Sequence, residues 1–277
     1  MKQIGGTTGR TFRYIFLIFS LVFSSVPLVR AQEADLDQYK WRGTAFWWFS
    51  QPGGFFKGTT ADSTPIDLNR DFGFGSYSTF SGNLDWRFKR KHHFLFGVSP
   101  LESSRSVTLS RTINFQGNTY NVGTTASAEV NSFAFAPGYQ WDFIRRHWGF
   151  VGLPVQFYML DTSASVTGEV TVNDQTVSRK SSASFFAPLP VIGLRSRWYP
   201  MHDSDRLALD GTFQGMYFFG YGDFYAARAT AGVRVARNWR LTGGYLMGTR
   251  LSIHGTSNQI GIRLTQKGPV AGLEASW

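Results

Sequence analysis

Cysteine is absent from the 277 residues. That excludes disulfides, thiolate metal ligands and thiol nucleophiles together. Long apolar runs are almost absent as well. The exception is residues 14–29, a stretch shorter than the ~20 residues a membrane-spanning helix needs. If the rest of the chain enters a bilayer, it does so without helices. Acids are outnumbered, 18 Asp and Glu against 28 Lys and Arg, for a formal charge of +10. Histidine is sparse, with five in the chain, so few imidazoles are on hand for acid–base or metal chemistry.

The N-terminal apolar run reads as an export signal. Lys2, Arg10 and Arg13 precede it, and Val29-Arg30-Ala31 offers small residues where a signal peptidase reads. Cleavage is expected after Ala31, making Gln32 the new N-terminus, residues 1–31 the signal and 32–277 a single mature domain. It removes Lys2, Arg10, Arg13 and Arg30 and no acid, lowering the net charge from +10 to +6. The remaining bases are spread singly along alternating segments, which together with export argues against nucleic acid as a partner.

Aromatics are what the chain holds in quantity: 26 Phe, 11 Tyr and 9 Trp. They fall on alternate positions. In the last eight residues Ala271, Leu273, Ala275 and Trp277 share one side, and Val270, Gly272, Glu274 and Ser276 the other. A period of two marks a strand. The clearest case sets Ser78, Phe80, Gly82, Leu84, Trp86 and Phe88 against Thr79, Ser81, Asn83, Asp85, Arg87 and Lys89.

Nine alternating segments are read at about 41–50, 78–89, 93–102, 129–143, 148–162, 186–199, 206–219, 225–236 and 239–253, and a tenth begins near Asn258. Pro52-Gly53-Gly54 is expected to end the first. A tilted bilayer crossing takes ~9–11 residues, which these lengths satisfy. Long polar connections at 51–76, 103–127 and 163–184 alternate with short ones such as Arg90-Lys91-His92 and Arg237-Asn238. Gly117-Asn118 and Asn173-Asp174 are expected hairpin tips.

A soluble sandwich can show the same alternation. Export, crossing length and the loop asymmetry favour an all-β fold: a transmembrane antiparallel up-and-down β-barrel of about ten strands, with eight or twelve as alternatives. In the last segment Ile260, Ile262 and Leu264 are even, whereas Ala271, Leu273 and Ala275 are odd. A β-bulge is therefore expected around Lys267-Gly268-Pro269, with a hairpin there as the alternative that would raise the strand count but leave the terminus on the wrong side.

Several stretches carry a family resemblance. A strand ending on Leu273, Ala275 and Trp277 resembles the C-terminal signal of outer-membrane β-barrels that is read by their assembly machinery, with tryptophan in place of the usual phenylalanine. Leu109-Ser110-Arg111-Thr112-Ile113-Asn114-Phe115, followed by Gly123 and the strand at Phe133, is similar to a group of uncharacterised bacterial outer-membrane β-barrel proteins. So are the segment from Ala187 to Arg195 and the closing Gly268-Pro269 strand. The resemblance implies a signal-bearing single-domain barrel in the bacterial (Gram-negative) outer membrane, and a monomer is expected. Its partners would be outer-membrane lipid, lipopolysaccharide and the assembly machinery. It brings no catalytic residues.

A search for chemistry finds little. His92, His93 and His147 sit at short turns, and His92 and His93 point opposite ways, which suits no metal site. His202-Asp203-Ser204 resembles the His-x-Ser pair of lipid A deacylases but falls in a turn. Asp210 has no acid or His partner on its own strand of the kind outer-membrane aspartyl-type proteases use. Neither Gly73-Phe74-Gly75 nor Thr242-Gly243-Gly244 opens a helix as a phosphate loop would.

No catalytic residue, metal or cofactor is expected. Charges on a lipid face cost roughly 2–4 kcal/mol for Arg at the midplane, so Asp85, Arg87, Asp142, Arg195, Arg197, Asp210, Arg228, Arg234, Arg240, Arg250 and Glu274 are assigned to the lumen. The expected role is a small porin-like or structural surface barrel with an arginine-rich lumen. Alternatives are a barrel enzyme acting on lipid or peptides, and an adhesion or recognition protein working through its loops.

Overall fold

The computed structural model describes residues 36–58, 60, 62–172, 175–201, 204–218, 222–253 and 261–277. The expected signal and its cleavage site lie outside these, as do His202, Asp203, His254 and the Asn173-Asp174 tip. The strands are β1 (Trp41–Lys57), β2 (Ile66–Asp67), β3 (Tyr77–Lys89), β4 (His92–Thr108), β5 (Ile113–Phe115), β6 (Asn118–Tyr120), β7 (Thr125–Arg146), β8 (Gly149–Val172), β9 (Gln175–Trp198), β10 (Leu207–Phe218), β11 (Gly222–Ala236), β12 (Trp239–Ile253) and β13 (Gly261–Ser276). All but β2, β5 and β6 form the wall, each pairing antiparallel with its neighbours, and β13 pairs back onto β1 from Arg42↔Ser276 to Lys57↔Gly261. The result is a closed, ten-stranded antiparallel barrel. Closure leaves no edge for the backbone to expose, the condition a strand structure must meet in lipid.

The outer face is apolar. Trp47 (52%), Phe157 (50%), Phe213 (57%) and Leu241 (55%) are each at least half exposed, an arrangement a monomer in water rarely tolerates over so wide a patch. Near the short turns the aromatics form a girdle: Trp41 stacks on Trp86 at 5.2 Å and Phe88 on Phe94 at 4.8 Å. On β9 the outward face from Trp198 to Phe186 is apolar apart from Ser196, then turns to Ser184, Ser182 and Lys180. Twelve residues of tilted strand cover roughly 30 Å, close to the height of a bilayer's hydrocarbon core.

Several wall strands run far beyond that band. β1 does not stop at Pro52-Gly53-Gly54; Gly54 takes φ +109° and pairing with Leu264 continues past it. Residues 163–184, expected as loop, are mostly strand: β8 and β9 hold one register from Gly149↔Trp198 to Val172↔Gln175. Their Ser- and Thr-rich alternation belongs to a hairpin standing clear of the lipid. The hairpin near Gly117 is present, but its tip is Gln116-Gly117 (φ +53° and +74°), one residue earlier than expected. Positive φ at both central positions is the type I′ geometry.

The expected bulge at Lys267-Gly268-Pro269 is not there. β13 keeps one register against β1 throughout, so Ile262 and Leu264 face inward like Val270, Gly272 and Glu274. What changes along the strand is the lumen, which is charged at one end and apolar at the other. The irregularity lies in β12, between Leu246 and Thr249. It reverses the parity of the rest of that strand, so Arg250 faces outward, with Nε 3.1 Å from Asp223 Oδ2 and its guanidinium over Tyr225. The assignment of Arg250 to the lumen is corrected accordingly.

Candidate functional site

The lumen has three levels. At the turn end, where β1 begins and β13 finishes, a layer of ion pairs crosses the bore. Glu274 on β13 accepts from Arg197 on β9 at 2.9 and 2.5 Å and from Arg240 on β12 at 2.7 Å. Arg197 also bonds Asp210 on β10 at 2.6 and 3.0 Å. Across the bore Arg195 donates to Asp85 at 2.8 Å, and Arg145 to Asp142 at 2.7 Å. His93 lies between these acids, Nδ1 2.8 Å from Asp85 and Nε2 3.0 Å from Asp142. Satisfying both contacts takes a proton on each ring nitrogen.

The segment before β1 completes the layer. Asp37 accepts from Arg42, from Arg145 at 3.1 Å and from the Tyr199 hydroxyl at 2.7 Å. Burial by itself would raise its carboxyl, but Arg42, Arg197, Arg145 and the Tyr199 hydroxyl together hold it well below the usual carboxylate range. Tyr39 donates to Asp85 at 2.9 Å, and Arg42 lies over its ring at 3.7 Å. The packing leaves no slack. A Cβ on Gly152 would fall 2.6 Å from both Asp142 Oδ1 and Gln140 Nε2, and one on Gly232 2.5 Å from Arg240 Cδ.

Above this layer is a chamber of about 280 Å³. Arg195 and Arg228 line its floor. Gln156, Gln214 and Tyr158 line the wall, bonded to one another: Tyr158 donates to Gln214 at 3.0 Å and Gln214 to Gln156. Toward the loop end the lining turns apolar, with Leu160, Leu251 and Leu264.

The third level is a lid. The β1–β3 connection brings in Ile66, Leu68, Phe72 and Phe74, and the β5–β6 hairpin brings Ile113, Phe115 and Tyr120, all buried in one cluster with Val166 and Ile262. Tyr120 donates to the Val166 carbonyl at 3.1 Å. Arg111 joins the two loops, meeting Asp71 at 2.9 and 2.6 Å and the Pro65 carbonyl at 2.7 Å. Burial works to raise the Asp71 carboxyl, but its bonds to Arg111, Arg70 and the Asp67 amide hold it well below the usual range. Of the 103–127 segment, expected to protrude, 103–108 and 125–127 extend the wall as paired strand, and 109–124 is folded down over the bore.

Of the residues assigned to the lumen, Asp85, Asp142, Arg195, Arg197, Asp210, Arg240 and Glu274 meet in the buried layer. Arg87 sits at the mouth, bonding the Asp37 carbonyl at 2.7 Å, and Arg234 at the rim, paired with Asp205. Arg228 stands apart in the chamber, 4.4 Å from the Phe46 ring. Sequence reading missed Asp37, Tyr39, Arg145 and Tyr199, which lie in or beside connections and carry no periodic signal. His93 was legible as inward only through its opposition to His92. Among the described residues no group of His, Asp and Glu has metal-ligand geometry; the two carboxylates at His93 approach opposite ring nitrogens and share no point between them.

No protein-family model matches the sequence, and no curated protein matches it. Solved structures do. The outer membrane protease OmpT from Escherichia coli superposes with a TM-score of 0.55 at 13% identity, over 90% of this chain and 99% of that one. The Pseudomonas putida toluene transporter TodX matches with a TM-score of 0.39 at 7% identity, over 89% and 91% of the two chains. Ail, the attachment invasion locus protein of Yersinia pestis, gives 0.34 at 7% identity, over 84% and 99%. At these identities the likeness is one of fold. The chain has the fold of a bacterial outer-membrane β-barrel.

Proposed function

We propose that this protein is a structural surface barrel of the bacterial outer membrane with a lumen closed to ions, rather than an open porin-like channel. The supporting observation is the turn-end layer. Side chains of Asp37, Arg145, Arg197 and Glu274 are 0–3% exposed, which supports a bore plugged at this level. Arginines that would favour anions in an open pore are instead spent on carboxylates.

In this reading residues 1–31 are removed after Ala31, and 32–277 insert with the short turns in the periplasm and the lid outside. Insertion uses Leu273, Ala275 and Trp277 as the assembly signal. The girdled outer face takes outer-membrane lipid and lipopolysaccharide, and the barrel works as a monomer without cofactor.

Planar-bilayer recording of the refolded protein tests it. The closed barrel gives no unitary steps at 100 mV. Steps that change size on Arg195→Gln substitution would overturn it in favour of the pore.

A further inference from the structure

The chamber between layer and lid is chemically lopsided, and that asymmetry specifies a ligand. The five carboxylates of the layer, Asp37, Asp85, Asp142, Asp210 and Glu274, are bound by the five guanidiniums of Arg42, Arg145, Arg195, Arg197 and Arg240. Arg228 is a sixth. It lies over the Phe46 ring at 4.4 Å; Asp210, already bound by Arg197, acts on it electrostatically, but among the described residues no carboxylate meets it in an ion pair.

Trp48, two residues along the same inward face of β1 from Phe46, lines the chamber as well and is 8% exposed; its indole N–H is covered by protein, so the ring offers the chamber apolar surface only. On the polar wall Gln156, Gln214 and Tyr158 are bonded to one another, and Ser81, Asn83 and Thr212, which also line the chamber, are uncharged. What is missing at this level is therefore an acceptor carrying negative charge. Toward the lid the need is the opposite, because Leu160, Leu251 and Leu264 offer only apolar surface.

We propose that the chamber binds a small anionic amphiphile, a carboxylate on a short hydrocarbon tail, with its head at Arg228 and its tail toward Leu251 and Leu264. This rests on the closed-barrel reading and adds a ligand to it. The volume sets the tail length. A 150 Å³ apolar cavity holds benzene, with its six carbons, so about 280 Å³ accommodates on the order of ten or eleven heavy atoms by the same scaling. Octanoate has that size. A charge-assisted bond to a guanidinium is strong enough to hold the head group.

The test uses the full-length refolded protein in phosphatidylcholine nanodiscs, titrated calorimetrically with octanoate, octanol and inorganic phosphate against empty discs. One saturable octanoate site per barrel is expected, with octanol and phosphate each at least about tenfold weaker and Arg228→Gln weakening octanoate about 10- to 100-fold. Leu251→Trp, which fills the tail region and leaves Arg228 in place, is expected to abolish octanoate binding. Both variants are checked for the compact gel mobility of an unheated barrel. No saturable site above empty discs, unchanged affinity in Arg228→Gln or Leu251→Trp, or phosphate binding as tightly as octanoate would each overturn the proposal. Conductance on the same preparation separates the two readings. A silent barrel that ignores octanoate refutes the ligand alone, whereas a conducting one refutes the closed lumen.

Discussion

Removing the Glu274 carboxylate is the sharpest perturbation of the turn-end layer. Glu274 accepts three bonds from two guanidiniums and has Arg42 Nε at 3.7 Å. Glu274→Gln keeps the shape but leaves Arg42 and Arg197 on Asp37 and Asp210, and Arg240 with the Asp205 carbonyl alone. All three cations are 3–5% exposed, so water cannot take the carboxylate's place. Breaking a buried pair from one side costs about 3–5 kcal/mol, and several cations here lose one acceptor, so the upper half of that range is expected. The assay is urea unfolding of the refolded barrel in micelles, read by tryptophan fluorescence, with the slope unchanged and the midpoint lowered. Arg234→Gln is the internal control. Its ion pair with Asp205 sits at the rim, with Arg234 35% exposed, and its loss is expected to cost under about 1 kcal/mol. If both variants lie within about 1 kcal/mol of wild type, water reaches Glu274 and the bore is not sealed.

Other consequences are equally open to measurement. Phe115→Ala removes a fully buried ring from the lid cluster. It is expected to cost about 3–5 kcal/mol locally, seen as faster proteolysis of residues 109–124 with the barrel itself intact. The Asp71 carboxyl is held below its unfolded value, so its contribution to the lid is complete above the ordinary carboxylate range and is lost as pH falls beneath it. Measured against the intrinsic amide rate, hydrogen-exchange protection of the loops should hold from pH 7 to about pH 4 and fall in stronger acid, while Asp71→Asn is weakly protected throughout. Gly152→Ala puts a methyl 2.6 Å from Asp142 and Gln140, and about 1–3 kcal/mol of destabilisation is expected, measured by the same urea titration.

The wall was legible because lipid imposes a strict rule on it: every second residue over a crossing must be apolar, and Trp86, Phe213 and Leu241 obey. The interior follows no single rule, and that is where reading failed. Phe46, Trp48, Ile262 and Leu264 look like lipid-facing residues, yet they point inward because the loop half of the bore is filled by protein. Once the lumen is taken as polar throughout, Ile262 demands a register slip that β13 does not make. Beyond the bilayer the outward face is washed by water, the contrast between faces fades, and β8 and β9 from 163 to 184 pass for loop. The charged layer was half visible. Asp85, Arg195, Arg197 and Glu274 sit on strands where parity assigns them a side. Asp37 and Arg145 lie where a strand begins or turns, and only folding shows that they meet, 108 residues apart in sequence.

The seam between the first and last strands also runs through the charge cluster. Arg42 belongs to β1, whereas Glu274 arrives only when β13 docks beside it. Until that moment three guanidiniums wait without their shared anion, so a cylinder lacking its final staves carries an unbalanced positive patch that resists leaving water. Zipping up the wall and neutralising the interior are thereby one event, and a half-made barrel has no comfortable resting place in hydrocarbon.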